Sequence, residues 1–332
     1  MASVVRQALP HCHSANLGRR RRDLMKPLHI ETPQFESRAM TTAAGRTILL
    51  KLEAMQPPGS FKIRGIGHAC QEYARRGATR FISSSGGNAG IAVAYAGRHL
   101  SVPVVVIVPE TTTERAKSLI EQEGAEVVVH GASWQQANEL ALSMLGESDA
   151  FLHPFDDPFV WQGHGSMVDE VVRSGVKPDA VVLSIGGGGL LSGVLDGLHR
   201  NGWTDVPVIA VETVGADSFA QSVRAGRRIK LPSIKSIATS LGATQVCEQA
   251  FAWTQRHTVL NAVVTDKAAV NACLRFLDDQ RILVEPARGA SLAAVYDGVA
   301  ELDGFDSVLV VVCGGVTTPL EKLEGWSKEW AQ

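Results

Sequence analysis

From residue 47 onward, short runs rich in valine and isoleucine alternate with stretches whose apolar residues recur at helical spacing. The apolar runs predict strands over residues 47–52, 80–83, 104–108, 126–130, 180–184, 208–212, 259–265 and 307–312. Between them the pattern predicts helices, among them 87–99, 113–122, 133–145, 159–173 and 267–277. Strands that are apolar throughout, not only at alternate positions, are buried on both faces, as in a parallel sheet covered by helices. The expected class is therefore α/β. Pro154, Asp156, Asp157 and Pro158 crowd together between a strand and a helix, and this break reads as a crossing between domains. No fixed-period repeat interrupts the alternation. The chain ends soon after the strand closing at Val312, so no appended regulatory domain is expected.

A chain of 332 residues suits one large or two medium domains. With 32 basic and 34 acidic residues it has a net charge of -2, which gives no electrostatic reason to expect a nucleic-acid partner. No apolar run approaches the roughly 20 residues that a membrane-spanning helix needs, so no membrane association is expected. Cys12, Cys70, Cys247, Cys273 and Cys313 lack paired spacing; a reducing, cytoplasmic compartment fits better than a disulfide framework or a zinc site. Residues 1–24 stand apart, with Arg6 and Arg19 to Arg22, no acid before Asp23 and no apolar face. This segment is expected to be disordered. It reads either as an organelle transit peptide or as a dispensable extension ahead of Met25, and the second is the simpler reading.

Open α/β sheets bind ligands where the carboxyl ends of strands feed into helices, and three unusual loops fall at such junctions. Pro57-Pro58-Gly59-Ser60-Phe61-Lys62-Ile63-Arg64-Gly65 places a lone lysine between two apolar side chains. Burial disfavours an ammonium, so such a lysine can act as nucleophile, Schiff-base former or base. Taken alone, an exposed first-turn lysine is the commoner reading. Ser83-Ser84-Ser85-Gly86-Gly87-Asn88-Ala89-Gly90 offers free helix-start amides to a carboxylate or phosphate, although a plain capped helix start has the same composition. Ser184-Ile185-Gly186-Gly187-Gly188-Gly189-Leu190 has more glycines than a short connection requires, and consecutive amides make a phosphate nest. It is neither a Walker loop nor a dinucleotide fingerprint.

A reactive lysine, a serine loop and a phosphate nest together suit pyridoxal 5′-phosphate (PLP), which brings an aldehyde for the lysine and a phosphate for the glycines. The serines remain for an amino acid carboxylate. Here the sequence resembles a known family. Ser60 to Gly65, Ser84 to Gly90, Gly186 to Gly189 and Cys313-Gly314-Gly315 are similar to the signature segments of the serine/threonine dehydratases, of PLP fold type II (tryptophan synthase β-like). Their order covers the chain from about Thr32 to its end. The resemblance implies two open, twisted, mostly parallel sheets flanked by helices. It implies a large PLP-binding domain of residues 25–54 and 157–332, and a small mobile domain of residues 55–156.

Residue by residue, the resemblance implies that Lys62 carries the cofactor and removes the α proton, that Phe61 packs on the pyridine ring, and that Asn88 meets the 3′ oxygen. Gly186, Gly187, Gly188 and Gly189 are expected to cradle the phosphate, and Cys313 to face the ring nitrogen. A thiol there leaves the ring a weaker electron sink, which favours prompt β-elimination. Ser84, Ser85, Gly86 and Asn88 are expected at the substrate. Gly186, Glu212, Ala216, Ser218, Leu241 and Ala243 match a segment that holds a monovalent cation, usually potassium. The implied reaction takes L-serine to pyruvate, or L-threonine to 2-oxobutyrate, with ammonia, in a homodimer.

Three departures stand out. Val316 follows Gly315 where the family places asparagine, with Thr317 the nearest polar replacement. Pro58 replaces a serine or threonine. Arg288, in Glu285-Pro286-Ala287-Arg288-Gly289, replaces the cysteine of eukaryotic serine dehydratases and reads as a solvated arginine. Cysteine synthases share the fold, but their lysine loop differs. A serine racemase-like enzyme and a catalytically inactive PLP-binding sensor are the alternatives. Racemisation needs a proton donor opposite the lysine, which resembling racemases supply from a serine two residues before the loop asparagine; Gly86 has none, so elimination is expected to dominate.

Overall fold

The structure, a computed structural model, describes residues 26–330; the expectation for residues 1–24 lies outside the described residues. The strands are β1 (Gln34–Glu36), β2 (Thr47–Lys51), β3 (Arg80–Ser83), β4 (Val104–Val108), β5 (Glu126–Val129), β6 (Asp149–Phe151), β7 (Ala180–Ser184), β8 (Val208–Thr213), β9 (Val259–Val264) and β10 (Ser307–Val311). The α-helices are α1 (Arg38–Ala44), α2 (Lys62–Arg75), α3 (Asn88–Leu100), α4 (Glu114–Gln122), α5 (Trp134–Ser143), α6 (Pro158–Arg173), α7 (Gly189–Arg200), α8 (Ser218–Ala225), α9 (Glu248–Trp253), α10 (Asp266–Gln280), α11 (Pro286–Tyr296) and α12 (Leu320–Glu329). The strands predicted from apolar runs all form, within one residue at either end. β1 and β6 escaped that reading because three residues are too few to show a period.

A six-stranded sheet has the order β1-β2-β10-β7-β8-β9, and a four-stranded sheet the order β5-β4-β3-β6. Neighbouring strands are parallel except β1 and β2, which run antiparallel. Side-chain alternation divides the larger sheet between two cores. Ile48, Leu50, Val182, Ile209, Val211 and Val310 pack with residues of α10 and α11, such as Phe276 and Leu292. Leu49, Val181, Leu183, Leu309 and Val311 face the other way, toward Met167 and Val171 of α6 and Leu191 and Leu195 of α7. Each such side chain, fully buried, contributes about 1.5–3 kcal/mol. Burial on both faces is why these strands read as unbroken apolar runs. The smaller sheet repeats the arrangement: Phe81, Val104 and Val106 pack with α2 and α3, and Ile82, Val105 and Ile107 with α5.

One buried polar cluster ties the start of α2 to the larger sheet. Arg64 Nε and Nη2 donate to Glu53 at 2.7 and 2.8 Å. Its Nη1 and Nη2 also reach Glu170 of α6 at 2.6 and 2.7 Å, and Lys51 at the end of β2 donates to Glu170 at 2.5 Å. Two cations and two carboxylates balance, so each charge is compensated out of water. Arg64 lies two residues after Lys62, and the cluster therefore fixes where the lysine's helix begins.

Candidate active site

Lys62 opens α2 at the carboxyl end of β10. Its loop is fastened to the 313–315 turn: Ser60 bridges Gly314, the Phe61 amide donates to the Cys313 carbonyl at 3.1 Å, and the Gly315 amide donates to the Gly59 carbonyl at 2.8 Å. Lys62 Nζ donates to the Pro154 carbonyl at 2.6 Å. That carbonyl is presented by a turn in which His153 Nδ1 accepts from the Phe155 and Asp156 amides, at 3.3 and 2.8 Å. The lysine side chain is partly accessible, as an amine that meets a ligand must be. Burial, and then the charge of Arg288, push its pKa down to about 7. At neutral pH a substantial fraction is the free amine, able to attack a carbonyl or accept a proton.

Beneath the lysine, α2 crosses α6 at contact distance. A Cβ on Gly163 would overlap the Arg64 carbonyl, and one on Gly65 would lie 2.6 Å from His164 Cε1. The close approach brings the His164 ring to 4.8 Å from the Phe61 ring. Both His164 nitrogens are buried with no partner, and burial pushes its pKa well below the usual value, so it is neutral. His164 was missed from sequence; the Gly163-His164-Gly165 run inside a helix was the available signal.

The serine loop leads from β3 into α3. Gly87 is the residue ahead of the helix, so the first amides of α3 have no intrahelical acceptor. The Ser85 hydroxyl lies 3.5 Å from the Gly87 amide. Ser84 is fully buried and its hydroxyl donates to Asn138 of α5 at 2.8 Å. Any contact Ser84 makes with substrate therefore runs through its backbone. Gly86 faces Thr112, whose Oγ1 is 2.7 Å from where a Cβ would stand. Asn88 donates to Glu285 Oε1 at 2.8 Å and accepts from the Val316 amide at 3.2 Å.

The four-glycine loop joins β7 to α7. A Cβ on Gly186 would lie 2.8 Å from Leu241 Cα, Cβ atoms on Gly187 and Gly189 would overlap Phe155, and Gly188 has φ 93°. Side chains have no room here. The bare amides at the head of α7 are left as donors for an anion.

Cys313, at the end of β10, is fully buried; burial pushes its thiol up to about 11, and Sγ lies 3.6 Å from the Val311 carbonyl. It stays protonated and neutral. The solvated Arg288 expected from sequence is overturned. Its side chain is buried because Nε donates to the Gly314 carbonyl at 3.0 Å and the guanidinium lies over the Phe61 ring. Thr317 Oγ1 donates to Glu285 Oε2 at 2.9 Å, so the polar group after Val316 reaches Glu285.

At the expected cation segment, Glu212 is buried inside β8 and accepts from the Phe219 and Ala220 amides at 2.9 and 2.7 Å. Burial pushes its pKa up to about 8. Ser218 Oγ is buried with no partner. The Leu241 carbonyl accepts from the Ala243 amide at 2.7 Å. Among the described residues no three His, Cys, Asp or Glu side chains cluster as metal ligands.

Three features fit PLP: a lysine with a depressed pKa, a glycine cradle with no room for side chains, and the free amides at the start of α3. Residues 25–314 match the model of the family described as pyridoxal-phosphate dependent enzyme. The chain belongs to that family, and PLP is its cofactor. Within it, the chain is 45% identical over 315 residues to the L-serine dehydratase/L-threonine deaminase of Bos taurus, covering 92% of this chain and 96% of the relative. A fungal L-serine ammonia-lyase from Rhizomucor miehei superposes with a TM-score of 0.88 at 33% identity, covering 92% of this chain and 100% of that one. Maize serine racemase superposes with a TM-score of 0.82 at 25% identity, covering 92% and 94%.

Proposed function

We propose that this chain is a PLP-dependent ammonia-lyase that converts L-serine to pyruvate and L-threonine to 2-oxobutyrate. Water lost in the elimination is regained in hydrolysis, so each amino acid yields one ketoacid and one ammonia. The observation that carries the reading is Lys62: an amine pushed down to about 7, set between amides fit for a carboxylate and a glycine cradle fit for a phosphate. When bound, PLP supplies an aldehyde for the substrate amine and a ring that withdraws electrons from the α carbon. Gly186 to Gly189 would hold its phosphate, Asn88 and Phe61 would orient its ring, and Cys313, protonated and neutral, would meet the nitrogen end without a charge to give. The α3 amides and Ser85 bind the substrate carboxylate, which directs the α hydrogen toward Lys62. Lys62 Nζ takes that proton, and Pro154 O, the acceptor of Nζ in this structure, holds the amine in place.

A potassium ion at Glu212, Ala216, Ser218, Leu241, Ala243 and Gly186 belongs to the same reading, supported by the unpartnered Ser218 Oγ and suited to hard oxygen ligands. So do closure of residues 55–156 over the site, a homodimer, and a cytoplasmic location, the last supported by the four cysteines among the described residues, all free and buried. No described helix is long and apolar enough to cross a membrane.

The test is ketoacid release from L-serine and L-threonine in potassium and in tetramethylammonium buffers. Wild type is expected to release pyruvate and ammonia in equal amounts, faster in potassium, and Lys62→Ala to lose at least about 10³-fold in kcat with its thermal midpoint retained. Cofactor binding without ketoacid from either amino acid would instead support an inactive sensor.

A further inference from the structure

Arg288 stands in the first turn of α11 with 3% of its surface exposed, and the steps assigned to Lys62 leave it without a role. For a buried cation it is thinly compensated. Nε has the Gly314 carbonyl at 3.0 Å, but Nη2 is 3.8 Å from Glu285 Oε1, beyond hydrogen-bond reach. Both Glu285 oxygens are already engaged, by Asn88 Nδ2 at 2.8 Å and Thr317 Oγ1 at 2.9 Å. The guanidinium carbon lies 5.2 Å from the centroid of the Phe61 ring, and Lys62 Nζ lies 5.2 Å from the same centroid. Two groups able to carry positive charge thus share one aromatic ring. Only the lysine can give up its proton, because a guanidinium stays charged in proteins.

We propose that Arg288 is a positioning residue for the reaction: a permanent positive charge that acts through Lys62, keeping its nitrogen in the neutral, proton-accepting form. The proposal rests on the reading of Lys62 as the lysine that carries PLP and removes the α proton. The other groups that face Lys62 do not substitute for the guanidinium. Glu285 from the head of α11 favours the ammonium, and Cys313 from the end of β10 stays protonated and carries no charge. His153 from the turn and His164 from α6 are held neutral, chiefly by burial. Burial of Lys62 works in the same direction as Arg288 and is the larger influence, but it is a property of the whole cleft. Arg288 is the single side chain that can be exchanged. Two charges separated by no more than twice 5.2 Å, at an effective dielectric near 20, shift such an equilibrium by about one pH unit.

The experiment uses holoenzyme carrying Arg288→Met, which removes the charge at similar length, Arg288→Cys, which supplies the residue of the resembling dehydratases, and Arg288→Lys, which keeps a charge. The readout is the pH titration of the absorbance of the cofactor linked to Lys62, which requires no turnover, alongside the acid limb of the kcat profile. In the Met and Cys variants both midpoints are expected to rise by about one pH unit, while the Lys variant retains most of the wild-type position. Should Arg288→Met fail to fold, the Cys and Lys variants still decide the matter. An unchanged midpoint in a folded Met or Cys variant overturns the proposal, as does a Lys variant that shifts as far as the neutral ones. Failure of the underlying reading looks different: peptide mapping of the reduced wild-type protein then finds no cofactor on Lys62.

Discussion

At the scale of single residues, the proposed preference for elimination over racemisation rests on Gly86. It has no side chain to donate a proton, and the volume a side chain needs is already taken by Thr112, with Oγ1 at 2.7 Å and Cγ2 at 2.8 Å from a Cβ. Wild type is therefore expected to form pyruvate from L-serine with little D-serine, measured by chiral chromatography. Gly86→Ser forces Thr112 aside, at a cost of about 1–3 kcal/mol, and is expected to lose activity before it gains any racemisation. Gly86→Ser combined with Thr112→Ala restores the room. A single Gly86→Ser variant as stable and active as wild type would show that the loop is looser than its packing. The glycine itself was legible in the sequence; the threonine that guards it was not, because residues 86 and 112 meet only through the fold. The same holds for Arg288, which looks solvated until the Gly314 carbonyl and the Phe61 ring are placed beside it.

Among the elements, α2 carries the lysine and α6 holds α2. Glu170 binds both Arg64 and Lys51; burial opposes its ionisation, but the Arg64 and Lys51 contacts outweigh it and hold its pKa below the ordinary carboxylate value. A depressed carboxylate adds stability that is present above its unfolded pKa, roughly 4.3, and is lost as pH falls through its folded value. Glu170→Gln removes that charge and leaves two buried cations to one carboxylate, for an expected loss of about 3–5 kcal/mol near neutral pH by urea unfolding. The difference from wild type is expected to narrow as pH is lowered through the acid range. A loss under about 1 kcal/mol at pH 7 would mean that water reaches the cluster. Apart from the short β1 and β6, the strands of both sheets could be read from sequence because continuous apolar runs have few alternatives. The cluster could not, since Lys51, Glu53, Arg64 and Glu170 share no local pattern and only the α2 to α6 crossing, at Gly65 and Gly163, brings them together.

For the molecule as a whole, the loops after β2, β3 and β7 carry Lys62, the serines and the four glycines, and the turn after β10 is fastened to the first of them. These were readable as three odd loops at strand ends; the neighbours His164, Glu285 and Pro154 came from the fold. The central claim is that Lys62 joins all three loops through one cofactor. Borohydride reduction of the holoenzyme followed by peptide mapping tests it directly. The reduced cofactor is expected on the peptide containing Lys62, in a yield that matches the loss of the absorbance band, and on no other lysine. Reduced cofactor on a different lysine, or a bleached band with an unmodified Lys62 peptide, would contradict the assignment.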